Sequence, residues 1–212
     1  MLESAPDTSS TPCARPAFAD LTDQDGYLRW RDWKLRQAAT RLEELVVEVQ
    51  DPRHLSSSEY GALMDRCRRM NMALYASPLG AEADKAIPRL LGAQLGLTRL
   101  DHNWLADDDG ITSLAVQSDG ARPHYIPYTD RAIHWHTDGY YNAPQRQIHG
   151  LLLHCVQPAA SGGENALLDP ELAYIHLRDA DAGYIEALMR GDAMTIPARN
   201  EENETVRPDS VG

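Results

Sequence analysis

His136 and Asp138 are the residues of this chain whose types and spacing point most directly to chemistry. They lie in Ala132-Ile133-His134-Trp135-His136-Thr137-Asp138-Gly139, which reads as a strand running into a turn. On an extended strand, side chains two residues apart project to the same face, so the imidazole and the carboxylate fall together. One neutral imidazole and one carboxylate are two members of the 2-His-1-carboxylate set that holds non-heme Fe(II) and leaves coordination positions open. By itself His-x-Asp recurs by chance, and a surface histidine beside a turn aspartate is the ordinary alternative.

A second block changes that balance. The apolar run Leu151-Leu152-Leu153-His154-Cys155-Val156 is followed by Ser161-Gly162-Gly163-Glu164-Asn165-Ala166-Leu167-Leu168-Asp169, so the order is strand, site loop, strand, Gly-rich turn, strand. His-x-Asp-Gly, then a strand ending in His-Cys-Val-x-Pro, then Gly-Gly-Glu-x-x-x-x-Asp resembles the taurine dioxygenase-like family of Fe(II)/2-oxoglutarate-dependent oxygenases, which includes the γ-butyrobetaine hydroxylases. The close match covers about residues 123 to 170. The resemblance implies an α+β chain with a double-stranded β-helix (jelly-roll) core and flanking helices. It implies hydroxylation of a small molecule with O2, with His136 and Asp138 as iron ligands. Asn165, at a position often Thr in the family, would help seat 2-oxoglutarate through its amide N–H. Tyr140 and Tyr141 follow the ligands at the mouth of the implied pocket and could line a substrate site. Aromatic packing over that mouth is the competing reading.

The match also has a gap. Family members carry a distal histidine and, beyond it, an arginine that pairs with 2-oxoglutarate, whereas after Asp169 this chain offers only His176. That residue sits in Pro170-Glu171-Leu172-Ala173-Tyr174-Ile175-His176-Leu177-Arg178, a helix announced by an Asp169 N-cap and a proline at the first position. It reads as a helix-face residue. The last residues, from Val206 to Gly212, read as a connection. The expectation is therefore a leader over residues 1–19 and a single jelly-roll domain over 20–212 lacking its C-terminal strands. Truncation, a partner chain that supplies the rest, and a degenerate homologue all fit. An incomplete barrel exposes strand edges, so a homo-oligomer or a complementing chain is expected, with the isolated chain inactive. The rival from another class is a non-catalytic jelly-roll subunit that binds a small molecule or a partner.

Other histidines near the motif allow other arrangements. His134 shares the face of His136 and Asp138 if the strand stays regular, which would make a cupin-like His-x-His-x-Asp site. His149 and His154 have opposite parity, so at most one faces the metal, and hydrogen bonding to a ligand or plain packing is the expected role of either.

Composition narrows the field. The chain has 212 residues, 42% hydrophobic and 25% charged, with a formal net charge of −12. Such an acid excess argues against binding to nucleic acid or an anionic membrane, which needs clustered cations. Arg66, Arg68 and Arg69 form the clearest basic group and read as a solvated helix face. No apolar run is long enough for a membrane span, and the N-terminus lacks a signal-peptide pattern, so a cytoplasmic chain is expected. Cys13, Cys67 and Cys155 are widely spaced and suggest reduced thiols.

The elements that must carry the site follow from periodicity. Leu35, Ala38, Leu42, Leu45, Val46 and Val49 recur at helical spacing and predict one helix from about Tyr27 to Asp51-Pro52, outweighing the strand tendency of Val46-Val47. Trp30 and Trp33 read as packing residues on it. Ser56-Ser57-Ser58-Glu59 has the form of a capping box opening a second helix with Leu63, Met64, Cys67 and Met70 inward. A third is expected over about 82–95, with Pro88 kinking it or setting its start and Gly96 ending it. The Asp107-Asp108-Asp109-Gly110 turn should lead into a strand at Ile111–Val116; it lacks the ligand spacing of a calcium loop. No Walker phosphate loop, Gly-x-Ser-x-Gly elbow or repeat is present.

Overall fold

In the computed structural model the described residues are 14–101, 109–116, 126–196, 199–201, 204–207 and 210–211. The elements run α1 (Gln24–Gln37), β1 (Val46–Glu48), α2 (Ser57–Met70), β2 (Leu74–Ala76), α3 (Ala86–Gln94), α4 (Pro170–Ala180), α5 (Ala182–Leu188), β3 (Thr195–Ile196), β4 (Arg199–Glu201), β5 (Glu204–Arg207) and β6 (Ser210–Val211). Strands pair as β1 with β2, β3 with β6 and β4 with β5. The class is α+β as expected. Among the described residues there are only these two-stranded sheets, so the expected double-stranded β-helix is not complete.

The chain divides into two compact units, the first formed by residues 1–47, 61–75 and 167–189. Its centre is aromatic: Tyr27, Trp30 and Trp33 of α1 are buried with Ile175 of α4, and Phe18, Leu172 and Tyr174 pack around them. Phe18 meets Trp30 and Tyr174 edge-on at centroid distances of 5.1 and 5.0 Å, a favoured quadrupole geometry. The tryptophans are thus packing residues. Asp23 caps α1 and Asp169 caps α4, each side chain accepting a backbone N–H of the first turn, with Pro170 opening α4 as expected. His176 is an exposed residue on α4.

A buried ion cluster ties these helices together. Lys34 is fully buried, its Nζ 2.6 Å from Asp169 Oδ2 and 2.6 Å from Glu171 Oε2, and it donates to the Arg69 carbonyl at 2.7 Å. Glu171 also receives Arg15 at 2.9 Å, and Asp169 Oδ1 accepts Asn71 Nδ2 at 2.8 Å. At the other end of α4, Tyr27 and Arg31 both donate to Asp179. Burial pushes the Tyr27 hydroxyl well above its usual value, and the Asp179 carboxylate beside it adds to the shift. Burial opposes ionisation of Asp179 too, but the Tyr27 and Arg31 hydrogen bonds prevail and hold it below its usual value.

The long first helix is corrected. It ends at Gln37, and Leu45, Val47 and Val49 are buried at alternating positions through β1. The same apolar residues satisfy both periods, and β-branched Val46, Val47 and Val49 with an available partner strand decide for period two. The arginine group is corrected in part. Arg68 is exposed, but Arg66 donates to the Glu44 carbonyl at 3.0 Å and Arg69 pairs with Asp65. The capping box forms as read: Ser56 N–H donates to Glu59 Oε2 at 2.7 Å and Glu59 N–H to Ser56 Oγ at 3.3 Å.

The second unit comprises residues 48–60, 76–166 and 190–212. Pro88 falls in the first turn of α3, where its missing N–H costs no helical bond, and Gly96 follows the helix at φ +89°. Gln94 fastens this helix by accepting from Leu55 N–H at 2.8 Å and donating to the Pro52 carbonyl at 3.0 Å. Asp109 pairs with Lys85 and Arg89 and accepts Ile111 N–H at 3.0 Å, making the expected turn; Asp107 and Asp108 lie outside the described residues. The strands expected at 111–116, 132–138, 151–156 and after Gly163 are unpaired coil. Residues 151–156 still alternate exposed and half-buried, the mark of a strand face, while Leu151 and Leu153 are 59% and 53% exposed. A strand is defined by the neighbour that takes its N–H and C=O groups, and no such neighbour lies among the described residues. The C-terminal connection is corrected as well: β6 pairs antiparallel with β3 and β5 with β4. Among the described residues no helix is long and apolar enough to cross a membrane.

Candidate metal centre

The His136 and Asp138 side chains converge although their segment is not a paired strand. His136 Nε2 lies 3.7 Å from Asp138 Oδ1, and both side chains are partly exposed. His136 Nδ1 is 2.8 Å from the His134 carbonyl oxygen. A carbonyl only accepts, so this contact places a proton on Nδ1, and in the neutral ring the Nε2 lone pair is then on the side facing Asp138. The separation of 3.7 Å exceeds hydrogen-bond reach, yet metal–nitrogen and metal–oxygen bonds of about 2.0–2.2 Å let donors up to about 4 Å apart share one ion. The donor chemistry of the pair therefore fits a divalent first-row cation.

The third ligand is another matter. Among the described residues no group of three histidine, cysteine, aspartate or glutamate side chains could hold a metal. The cupin-like arrangement is corrected on this point. His134 contributes its carbonyl to His136, and irregular backbone replaces the alternation that would have aligned three side chains. His149 is exposed and His154 half-buried.

Asn165 does not reach toward a carboxylate ligand in this arrangement. It is exposed, and its Nδ2 turns back on the Gly163 carbonyl at 3.4 Å. Gly162 and Gly163 have φ of +67° and +79°, and a Cβ on Gly163 would come within 3.0 Å of Ala159 Cβ, so the turn requires glycine there. Tyr140 and Tyr141 are exposed and pack edge-on at 5.2 Å, one and two residues beyond the Asp138-Gly139 corner. They form an exposed aromatic pair close in sequence to His136 and Asp138.

Sequence reading missed the residues that hold this corner. Arg146 Nε and Nη2 both contact Asp101 Oδ1, at 3.1 and 2.5 Å, and Asn142 Nδ2 lies 3.4 Å from Asp101 Oδ2. Forty-five positions separate Asp101 from Arg146, and no local periodicity links them.

The sequence has relatives that bear on this geometry. No solved structure matches the chain. A protein named uridine-5′-phosphate dioxygenase, from Streptomyces sp, is 35% identical over 100 residues, which is 45% of this chain and 36% of that protein. The chain thus aligns with about a third of that relative's length. The profile described as taurine catabolism dioxygenase TauD, TfdA family matches residues 42–211, a span that takes in His136, Asp138, the Gly162-Gly163 turn and all of the elements from β1 onward, and the chain belongs to that family.

Proposed function

We propose that this chain carries two of the three Fe(II) ligands of a 2-oxoglutarate-dependent oxygenase that hydroxylates a small molecule, with His136 and Asp138 as those ligands. The observation that supports it is the convergence of His136 Nε2 and Asp138 Oδ1 at 3.7 Å, with Nδ1 committed to the His134 carbonyl. Fe(II) and 2-oxoglutarate, when bound, would activate O2 for hydroxylation, with 2-oxoglutarate as the co-reductant that gives two electrons on oxidation to succinate and CO2. The protein's own share is fixing ligands and shaping the site. The His134 carbonyl holds the His136 ring in the tautomer whose Nε2 can donate a lone pair, and Asp138 brings the negative charge that a divalent ion requires. The Gly162-Gly163 turn sets the backbone from which the Asn165 amide would address a carboxylate of the co-substrate after rotating off the Gly163 carbonyl. Tyr140 and Tyr141 offer an aromatic surface to the substrate. The third ligand comes from outside the described residues of this chain or from a second chain, and a homo-oligomer or complementing partner is part of the proposal.

Anaerobic titration of the full chain with Fe(II) and 2-oxoglutarate tests this, read as the weak visible metal-to-ligand absorption band. A band that is lost in both His136→Ala and Asp138→Ala supports the assignment. The relative's name makes uridine-5′-phosphate the first substrate to try, with 2-oxoglutarate consumption and a hydroxylated product as the readout.

A second reading, a non-catalytic subunit of jelly-roll ancestry, is favoured by the lack of a third ligand among the described residues. Absence of the band from the chain alone and with added partner selects it.

A further inference from the structure

We infer that Asp101 is the positioning residue for the His136–Asp138 pair, acting through a latch on the turn that follows it; this rests on the metal-centre reading above. The turn begins at Gly139, directly after Asp138, and closes when Asn142 N–H donates to the Gly139 carbonyl at 2.8 Å. A second turn follows as Arg146 N–H donates to the Ala143 carbonyl at 2.8 Å. The Asn142 amide bridges the two turns, donating to the Arg146 carbonyl at 2.9 Å. The same amide reaches Asp101 Oδ2, while the Arg146 guanidinium grips Oδ1 through two nitrogens. One carboxylate therefore takes contacts from both turns at once. It fastens this segment to a point forty-one positions before Asn142 and forty-five before Arg146.

The corner has little freedom to absorb a loss of that grip. Gly139 has φ +67°, and a Cβ on it would run into Ile148 Cγ1 and come within 2.9 Å of Asn142 Nδ2. The turn is thus folded down against Ile148, directly after Asp138. An ion pair this exposed, with side chains 58% and 24% accessible, adds little to global stability. Its consequence is local: it sets where the residues after Asp138 lie, and with them the Asp138 carboxylate and the His136 ring.

The test uses the full chain with two readouts. In the metal-free protein, 15N chemical shifts of the His136 ring report the Nδ1–H tautomer held by the His134 carbonyl. Mn(II) titration followed by electron paramagnetic resonance reports the ion site. Asp101→Ala should depopulate that tautomer and weaken Mn(II) binding by about tenfold or more, the usual range for groups that orient metal ligands, while the thermal midpoint stays near that of the wild type. The exchanged pair Asp101→Arg with Arg146→Asp should recover part of both signals, since the ion pair returns while the Asn142 contact, which needs an acceptor at position 101, does not; a purely steric role for Asp101 would give no recovery. An unchanged His136 tautomer in Asp101→Ala overturns the latch, whatever the metal does. Wild-type protein that binds no Mn(II), with His136 still disturbed by Asp101→Ala, removes the metal-centre reading and leaves the latch standing.

Discussion

Replacing Lys34 by methionine should destabilise the first unit strongly, and the local geometry says by how much. Lys34 Nζ is fully buried between Asp169 and Glu171 at 2.6 Å each and satisfies the Arg69 carbonyl as well. Methionine preserves the length and apolar stem, so the packing loss is small and the effect isolates the charge. Removing one partner of a buried ion pair costs about 3–5 kcal/mol, because the other charge stays buried. Here two carboxylates are left, but Glu171 keeps Arg15, and Asp169 keeps Asn71 and the Glu171 N–H. Those remaining partners argue for the lower end, about 3 kcal/mol. In a chain of this size that lowers the thermal midpoint by about 6–12 °C. Calorimetry and urea unfolding measure it. Neutralising the cluster as a whole should relieve the penalty: Lys34→Met with Asp169→Asn and Glu171→Gln should fall within about 1 kcal/mol of the wild type, since asparagine still caps α4. A loss under about 1 kcal/mol in the single variant, or no recovery in the triple one, would refute the reasoning that an uncompensated charge is the cause.

Three further outcomes follow from the same kind of contact. Gly139→Ala should destabilise the protein by about 1–3 kcal/mol through the positive φ and the collision with Ile148, measured by urea unfolding; a neutral effect would mean that the turn is free to open. The Ser56 hydroxyl bond, together with backbone N–H groups of Gln50 and Ser56, holds the Glu59 carboxyl below its usual value. A lowered carboxylate stabilises the fold above its unfolded value and loses that contribution as pH falls through the folded one. The gap between wild type and Glu59→Gln should therefore be full at neutral pH and close on the acid side of the ordinary glutamate range, as read by unfolding across pH. Asp181 accepts Gly183 N–H at 2.8 Å at the start of α5, so Asp181→Ala should cost about 1 kcal/mol, while Asp181→Ser should recover most of it.

Signals that depend on a few neighbouring residues were legible in the sequence. The Ser56–Glu59 box, the Asp169-Pro170 entry to α4 and the packing of Trp30 and Trp33 all formed as read, and of the two roles open to Pro88 the structure takes the one near the start of α3. Each is decided within one turn of backbone or one apolar face. The convergence of His136 and Asp138 was legible for the same reason, the two being two positions apart, although the regular strand invoked to bring them together is not formed. The failures share a different cause. Leu45, Val46 and Val49 fit a helix and a strand equally well, and the choice was made by a partner strand some 28 positions away, from Val46 to Leu74. The Lys34 cluster and the Asp101 latch join residues more than forty positions apart, and nothing in the local pattern announces them.

The alternation kept by residues 151–156 in the absence of a paired neighbour separates two properties that a strand motif usually joins. Alternating burial follows from which side chains find apolar surface; Gly92 on α3, for example, has Leu152 Cδ2 at 3.7 Å from where its own Cβ would stand. The hydrogen-bond ladder follows from a second backbone, which the described residues do not supply. Leu152 has its helix already, whereas Leu151 and Leu153, on the opposite parity, remain open. Under the proposed metal-centre reading, a strand-bearing segment that covers the exposed leucines and also carries the third ligand would couple assembly to metal binding. Hydrogen–deuterium exchange of residues 151–156 should then slow only under conditions that also raise Fe(II) affinity; protection of this run without any gain in metal binding would uncouple the two and refute the argument.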